Sequence, residues 1–380
     1  MKATLERIYA MAWKEWIHIR RDFRTLYLAF ILPVVMILIF GYAVDFDIDG
    51  IRMGVVDRDR TEESRSFIAH LTAGGWFRLE RYETTDSGLM TALDNGQIKI
   101  GVFIPEGFAR SIRRGDQPEI QALLDGSDNN AATVGQNYLL LGAARYSESI
   151  MKDGLNRTGL ADMRIARLSP APLIYFNPEL KSRFYILPGI IALTTAILAA
   201  LLTSLVIARE WERGTMEQLI ATPVRPYEII IGKIIPYIGI SVLQTTMTAV
   251  LSVVVFGIPF RGNPIWLLPG AVLFATGTLG LGMMLSSVMK SQLPAMQAAF
   301  VATMLPGIIL SNFVFPIESM PAIIRMITYI VPAKYFLVVL RTLFLKGTGP
   351  EAYVLELVFL ALFAAFVLFV ATRKTVKRVA

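Results

Sequence analysis

Very few residues in this chain have the types and spacing that chemistry needs. A phosphate-binding loop requires G-x-x-x-x-G-K-[ST], so that backbone amides and a lysine cradle the phosphates. The Gly232-Lys233 pair lies in an apolar setting, but Ile234 follows it and no glycine stands five residues earlier. Asp57 and Asp59 are close, yet they fall at a turn where solvated carboxylates are expected. The cluster Asp125-Gly126-Ser127-Asp128-Asn129-Asn130 lacks the ligand pattern and terminal glutamate of a calcium loop. It reads as a turn followed by a helix N-cap. The two histidines, His18 and His70, are too far apart in sequence for a metal site, and the lack of cysteine excludes disulfide and thiol chemistry. No catalytic, cofactor-binding or metal residues are therefore expected on this chain.

What stands out instead is a dense charged run, Arg209-Glu210-Trp211-Glu212-Arg213-Gly214-Thr215-Met216-Glu217-Gln218-Leu219. It abuts an uncharged 25-residue segment, Phe184 to Ala208, and a second uncharged segment, Ile234 to Phe260, follows it closely. In one helix, Arg209–Glu212, Glu210–Arg213 and Arg213–Glu217 would be spaced to pair their opposite charges. Met216, Leu219 and Ile220 would share an apolar face. Gly214 permits close approach, and Pro223 ends the helix. A loop of this kind, spanning 209–233, is suited to contact with something in the aqueous phase. Its physics alone also fits an ordinary interfacial helix between two spans.

The surrounding chain has the composition of a membrane protein. Charged residues make up 18% of it, below the roughly 25% of soluble domains. Uncharged runs cover Leu26–Val44, Phe184–Ala208, Ile234–Phe260, Gly262–Met289 and Ser291–Ile317. A sixth apolar run, Tyr353–Thr372, carries only Glu356. Runs of this length cross a bilayer as helices. Leu26–Val44 also ends in a weak small-x-small site, but a 24-residue basic arm before it favours a retained anchor over a cleaved signal.

Charge sets the expected orientation. Six Lys/Arg precede the first span, four lie in 209–233 and four in the tail, which with six spans all fall on one side. The positive-inside rule makes that side cytoplasmic, with both termini inside and residues 45–182 outside. That outer segment holds 20 acids and 16 bases. The net charge of +7 is thus a topology signal and gives no reason to expect nucleic-acid binding.

The expected fold is an α-helical polytopic membrane protein of six transmembrane helices, with an α/β or α+β extracytoplasmic domain inserted between the first and second spans. Residues 1–24 read as a cytoplasmic interfacial helix in which Leu5, Ile8, Ala12, Trp16 and Ile19 share one face, and Trp13 and Trp16 suit the headgroup level. Residues 25–44 form the first span. In 45–182, strand-like runs Ile51–Asp57, Phe77–Glu83, Ile98–Ile104 and Glu119–Leu124 alternate with helical ones at Thr61–Leu71, Ser87–Asp94, Pro105–Arg114 and from Asn129 to about Leu155. Residues 183–372 form the five-helix region and 373–380 a basic tail. Within the five-helix region, 318–346 carries Arg325, Lys334 and Arg341 and is broken by Pro332. Two half-helices in the outer leaflet fit it better than a seventh crossing. Ionisable groups inside the spans are scarce, which argues against a proton-driven carrier. Thr194, Thr195, Gln244, Thr245, Gln297 and Asn312 either line a path or join helices by hydrogen bonds.

Taken with this topology, the sequence IAREWERGTMEQLIATPVRPYEIIIGK resembles the motif after the second span of ABC-2 type transporter permeases. ALDNGQIKIGVFIPEGFARSIRRG is similar to the external domain of the bacterial multidrug branch of that family. The resemblance covers essentially the whole chain. It implies a complex of two permease chains, identical or different, with two ATP-binding chains that carry the ATP and Mg. It identifies Arg209, Glu210, Glu212, Arg213, Gly214, Thr215, Glu217 and Gln218, closed by Pro223, with the coupling helix that docks on the ATPase. It implies an exporter subunit in a bacterial inner membrane, moving a lipophilic or amphiphilic substrate, with an external domain open to a periplasmic adaptor. Two other classes stay open on residues alone: a non-transporting receptor or anchor that displays 45–182, and a secondary transporter.

Overall fold

A computed structural model describes residues 2–43, 50–116, 118–127, 129–157 and 182–375. The chain divides into two compact units, one of residues 1–45 and 181–380 and the other of 46–180.

The first unit opens with α1 (Lys2–Arg21) and α2 (Phe23–Ala43), separated only by Asp22. Asp22 accepts hydrogen bonds from the amide and hydroxyl of Thr25, so it caps α2.

The second unit follows in sequence as β1 (Ile51–Asp57), α3 (Glu62–Ala73), β2 (Phe77–Glu83), α4 (Asp86–Asp94), β3 (Ile100–Ile104), α5 (Phe108–Arg114), β4 (Gln121–Leu124) and α6 (Asn129–Arg157). Its sheet runs β2-β1-β3-β4, parallel except for β4. Parallel strands covered on both faces are near-continuous apolar runs, as the central β1 and β3 are, whereas the edge strand β2 is largely exposed. Phe67, Leu71, Phe108 and Tyr146 cover one face, while Leu89 and Ala92 of α4 pack with Val56 and Ile98 on the other.

Asp57 at the end of β1 and Asp59 just after it differ from the expected solvated turn, because the loop folds back on the domain. Asp57 accepts from the hydroxyl of Ser64 at 2.6 Å. Asp59 accepts from the amides of Gly107 and Ala109 at 2.8 and 2.9 Å. It thereby caps α5, whose own N-cap is a glycine without a side chain to offer. Burial alone would raise the Asp59 pKa, but the bonds from Thr61 and the α5 amides outweigh it and hold it below the usual carboxylate value. The contribution of Asp59 is therefore complete above the unfolded pKa and lost as pH falls through the lowered native one. Asp59→Ala is expected to cost about 1–2 kcal/mol, the scale of a lost cap. It should also reduce the acid sensitivity of this unit, read by hydrogen exchange of α5 amides across pH 3–6.

The remaining elements return to the first unit: α7 (Ser182–Glu212), α8 (Thr215–Ala221), α9 (Pro226–Phe256), α10 (Leu267–Met289), α11 (Gln292–Ile309), α12 (Ala322–Thr328), α13 (Pro332–Arg341) and α14 (Val354–Lys374). Six helices are long and apolar enough to cross a membrane: α2, α7, α9, α10, α11 and α14. The pair α12 and α13 is bent by 75°, so it counts either as one broken span or as a re-entrant loop. The first unit is thus that of a polytopic membrane protein.

The α7 helix is the hub, packed against α2, α9, α10, α11 and α13. It approaches α10 closely at Gly282, where an added Cβ would run into the carbonyl oxygen of Ala200 and the hydroxyl of Thr203. The Thr203 hydroxyl donates across this contact to the Leu279 carbonyl at 2.8 Å. Small residues at such crossings let backbones meet in a membrane, where no hydrophobic drive joins helices. Gly282→Leu should therefore part α7 from α10 at a cost of about 3 kcal/mol or more. Loss of monodisperse protein after mild heating in detergent would register it, and an unchanged profile would contradict this packing.

Candidate coupling surface

The charged run does not form one helix. α7 carries the chain through Glu212, and Gly214 then turns it at φ +69° before α8 begins. Glycine takes this left-handed conformation without the Cβ penalty and is the usual residue just past a helix end. After α8, Pro226 occupies the first turn of α9, where its missing N–H and fixed φ suit a helix start.

The break redirects the charges. The pairs expected within one helix, Arg209–Glu212, Glu210–Arg213 and Arg213–Glu217, give way to bonds with other elements. Arg209 lies 3.9 Å from Asp22, between α1 and α2. Glu210 lies 2.8 Å from Lys233 of α9 and 3.7 Å from Lys14 of α1, and it accepts the Thr215 hydroxyl. Glu212 accepts from the Gln292 amide at 2.7 Å and the Ser291 hydroxyl at 2.9 Å, so it caps α11 from a distance. The Gln292 side-chain amide donates to it as well. The physical reason is magnitude. An exposed pair along one helix is worth about 0.2–0.5 kcal/mol, whereas charge-assisted hydrogen bonds are about twice as strong as neutral ones.

Lys233 anchors this arrangement. It is 1% exposed, and its ammonium sits between Glu210 and Glu15 Oε2, the latter at 3.3 Å. Glu15, itself 7% exposed, accepts the Tyr237 hydroxyl at 3.0 Å through its other oxygen. α1 reaches this site because Gly232 lets it approach: an added Cβ would stand 2.6 Å from Met11 Cβ and 3.0 Å from the Ile8 carbonyl. Arg7 adds a second tie, donating to the Pro223 carbonyl at 2.9 Å and lying 3.7 Å from Glu228.

The buried side of α1 is accordingly Met11, Glu15 and Ile19, set against α9. Ile8 is half-buried, while Leu5, Trp13 and Trp16 are exposed. The expected face thus divides: Ile19 packs inward, and Leu5 and Trp16 stand outside. Neither Glu15 nor Lys233 was singled out in the sequence for this role. The signal was there. Leu5, Ile8, Ala12, Glu15 and Ile19 recur at steps of 3, 4, 3 and 4, so an acid sits in the apolar stripe, and a buried acid requires a buried cation.

The other members of the run face outward. Arg213, Gly214, Glu217, Gln218 and Pro223 are exposed, whereas Met216 is 1% exposed and holds α8 down. Trp211 is half-buried beneath Lys290, whose ammonium stands 4.6 Å from the ring centroid. The motif therefore has an inward set that fixes the segment to α1, α9 and α11, and an outward set free to meet a partner.

One pair of the polar residues of the spans bonds across two helices. Thr195 and Thr245 meet at 3.1 Å and join α7 to α9. Thr194 donates to its own helix at Ile190. Gln244 is buried beside this contact in sequence, and its amide nitrogen has no hydrogen-bond partner. Gln297 is exposed on α11. Asn312 lies beyond α11 at φ +66°, where its carbonyl accepts the Tyr185 hydroxyl and its side chain accepts the Ile317 amide.

Fold and surface together define a polytopic membrane protein with a braced polar segment at the end of its central helix. The sequence model of the ABC-2 family transporter protein matches residues 23–373, and the chain belongs to that family. It is 34% identical over 374 residues to the probable multidrug ABC transporter permease YbhS of Escherichia coli, covering 98% of this chain and 97% of that protein. It is 24% identical to the probable multidrug ABC transporter permease YbhR of the same organism, across 90% of this chain and 91% of the relative. ABC transporter G family member 20 of Dictyostelium discoideum is 24% identical across 95% of this chain but only 50% of its own length. No solved structure matches.

Proposed function

We propose that this chain is the membrane subunit of an ATP-driven exporter and that the outward side of α8 receives force from a separate ATPase. The observation that carries this reading is the division of the charged run. A loop that only reversed the chain would not need bonds to α1, α9 and α11 to hold three polar residues, Arg213, Glu217 and Gln218, outward. The similarity to permeases named as parts of multidrug ABC transporters supports the same reading.

On this account ATP and Mg belong to two copies of the partner, and a second permease chain completes the complex. α1, α8 and the chain ends face the cytoplasm of a bacterial inner membrane. Residues 45–182 are extracytoplasmic and available to cargo or to a periplasmic adaptor, and α12 and α13 are re-entrant half-helices. The account is tested by co-purification in mild detergent with an ABC ATPase from the same cells, followed by ATP-dependent transport in vesicles. Stable isolation without any Walker-motif protein would favour a receptor or anchor. Transport abolished by a collapsed proton gradient while ATP persists would favour a secondary transporter.

A further inference from the structure

Behind the bend between α12 and α13 lies a cavity of about 260 Å³. Its walls include Ala196 of α7, Thr278 of α10, Thr303 and Pro306 of α11, Ile330 at the bend and Phe363 of α14. The hydroxyls of Thr278 and Thr303 donate to carbonyls of their own helices, Phe274 at 2.9 Å and Ala299 at 2.8 Å. Their donors are spent, so the cavity makes little hydrogen-bonding demand. An apolar cavity of even about 150 Å³ excludes water and accepts apolar guests. Pockets for whole drug-sized ligands run from about 300 to 1,000 Å³, so this one suits part of a molecule, such as a single alkyl chain.

A cation adjoins this lining in sequence. Lys334 directly follows the lining residues Pro332 and Ala333. Its ammonium lies 4.0 Å from the centroid of the Tyr329 ring and 3.3 Å from the Thr328 hydroxyl oxygen. Among the described residues no carboxylate comes within 4.0 Å of it, although Glu318 acts on it from further away. Arg325 on the neighbouring helix differs, since its guanidinium is tied to the carbonyls of Glu318 and Met320. A half-buried ammonium without an ion pair beside an apolar cavity is the complement of an amphiphile.

We propose that the cavity takes one alkyl chain of an anionic amphiphile and that Lys334 holds its head group. This names a substrate class for the exporter and rests on that reading. α7 supplies both Ala196 of the cavity wall and Arg209 of the coupling surface, roughly 20 Å apart along one helix, so a single rod touches both sites.

The test uses the full chain in nanodiscs and two photoreactive probes, palmitate and hexadecanol, each with a diazirine in mid-chain. Irradiation followed by peptide mapping should place both on 303–310 and 327–333. Lys334→Gln should lower palmitate adducts about tenfold, the effect of one lost bond to a charged group, and leave hexadecanol adducts within about twofold. Lys334→Arg should restore palmitate, and Thr303→Trp should abolish both adducts at these peptides. Adducts confined to outward residues of α14 such as Phe366, adducts to a second copy of the chain at the cavity, or equal responses of the two probes to Lys334→Gln would overturn the proposal. The labelling needs no ATPase. Its failure beside intact ATP-dependent transport would remove the cavity alone, and success in a chain that binds no ATPase would remove the exporter alone.

Discussion

Lys233→Met is expected to destabilise the first unit by about 3–5 kcal/mol, the cost of removing one partner from a buried ionic set. The substitution leaves Glu15 and Glu210 facing each other without the cation between them. Lys14 cannot replace it, because its side chain is 56% exposed and its 3.7 Å pair with Glu210 is screened by water, worth about 1 kcal/mol at most. The triple variant Lys233→Met, Glu15→Gln, Glu210→Gln should recover much of the loss, since replacing a whole buried set is far less costly than breaking it. Limited trypsin cleavage at Arg20 and Arg21 in the purified chain reads the release of α1. Wild-type cleavage and thermal behaviour in Lys233→Met would contradict the anchoring role.

Glu217→Arg is expected to act oppositely, leaving the fold unchanged and the assembled transporter impaired. Glu217 is exposed and, among the described residues, forms no ion pair that its loss would break. Reversing a charge at a docking surface costs several kcal/mol through like-charge contact, so ATP-dependent transport should fall at least about tenfold. The thermal profile and membrane insertion of the chain should match wild type. Glu212→Arg and Gly214→Trp also target the motif but are less discriminating. The first removes the cap of α11, and the second forces a bulky residue to φ +69°. Wild-type transport and ATPase stimulation in Glu217→Arg would separate this surface from coupling.

These two predictions divide a motif that looked uniform in the sequence. The spans were legible because 18 or more uncharged apolar residues admit few structures other than a membrane helix. The bent pair was legible because Pro332 sits between two short apolar runs that each carry a cation. In the second unit, β1 falls on Ile51–Asp57, a short apolar run ending in turn residues, and β2 on Phe77–Glu83, which alternates, whereas β3 begins two residues later than expected, at Ile100. Lys99 instead turns its ammonium to Asp125, at 2.6 Å, beside the β3–β4 edge. The bond from Lys99, joined by those of Ser127, holds the Asp125 pKa down at about 2.

The site was less legible, for a physical reason. Helical spacing reports which charges can meet within one helix, and it led to pairs inside 209–217. It does not report partners 23 or 218 positions away, which are the separations at which Lys233 meets Glu210 and Glu15. Only the acid placed in the apolar stripe of α1 hinted at them. α1 thereby also braces the charged run, a role that amphipathicity alone does not describe.

The central claim is that the outward side of α8 touches the ATPase. The chain contains no cysteine, so single cysteines can be placed without background. Gln218→Cys, exposed on α8, and Thr215→Cys, partly shielded beside Glu210, form the test pair in membranes that hold the assembled complex. With a short bismaleimide cross-linker, and a matching cysteine scan of the partner, Gln218→Cys should yield a permease–ATPase adduct whose amount changes with ATP, and Thr215→Cys should yield little. Absence of any adduct from Gln218→Cys, in complexes that still co-purify and transport, would contradict the account.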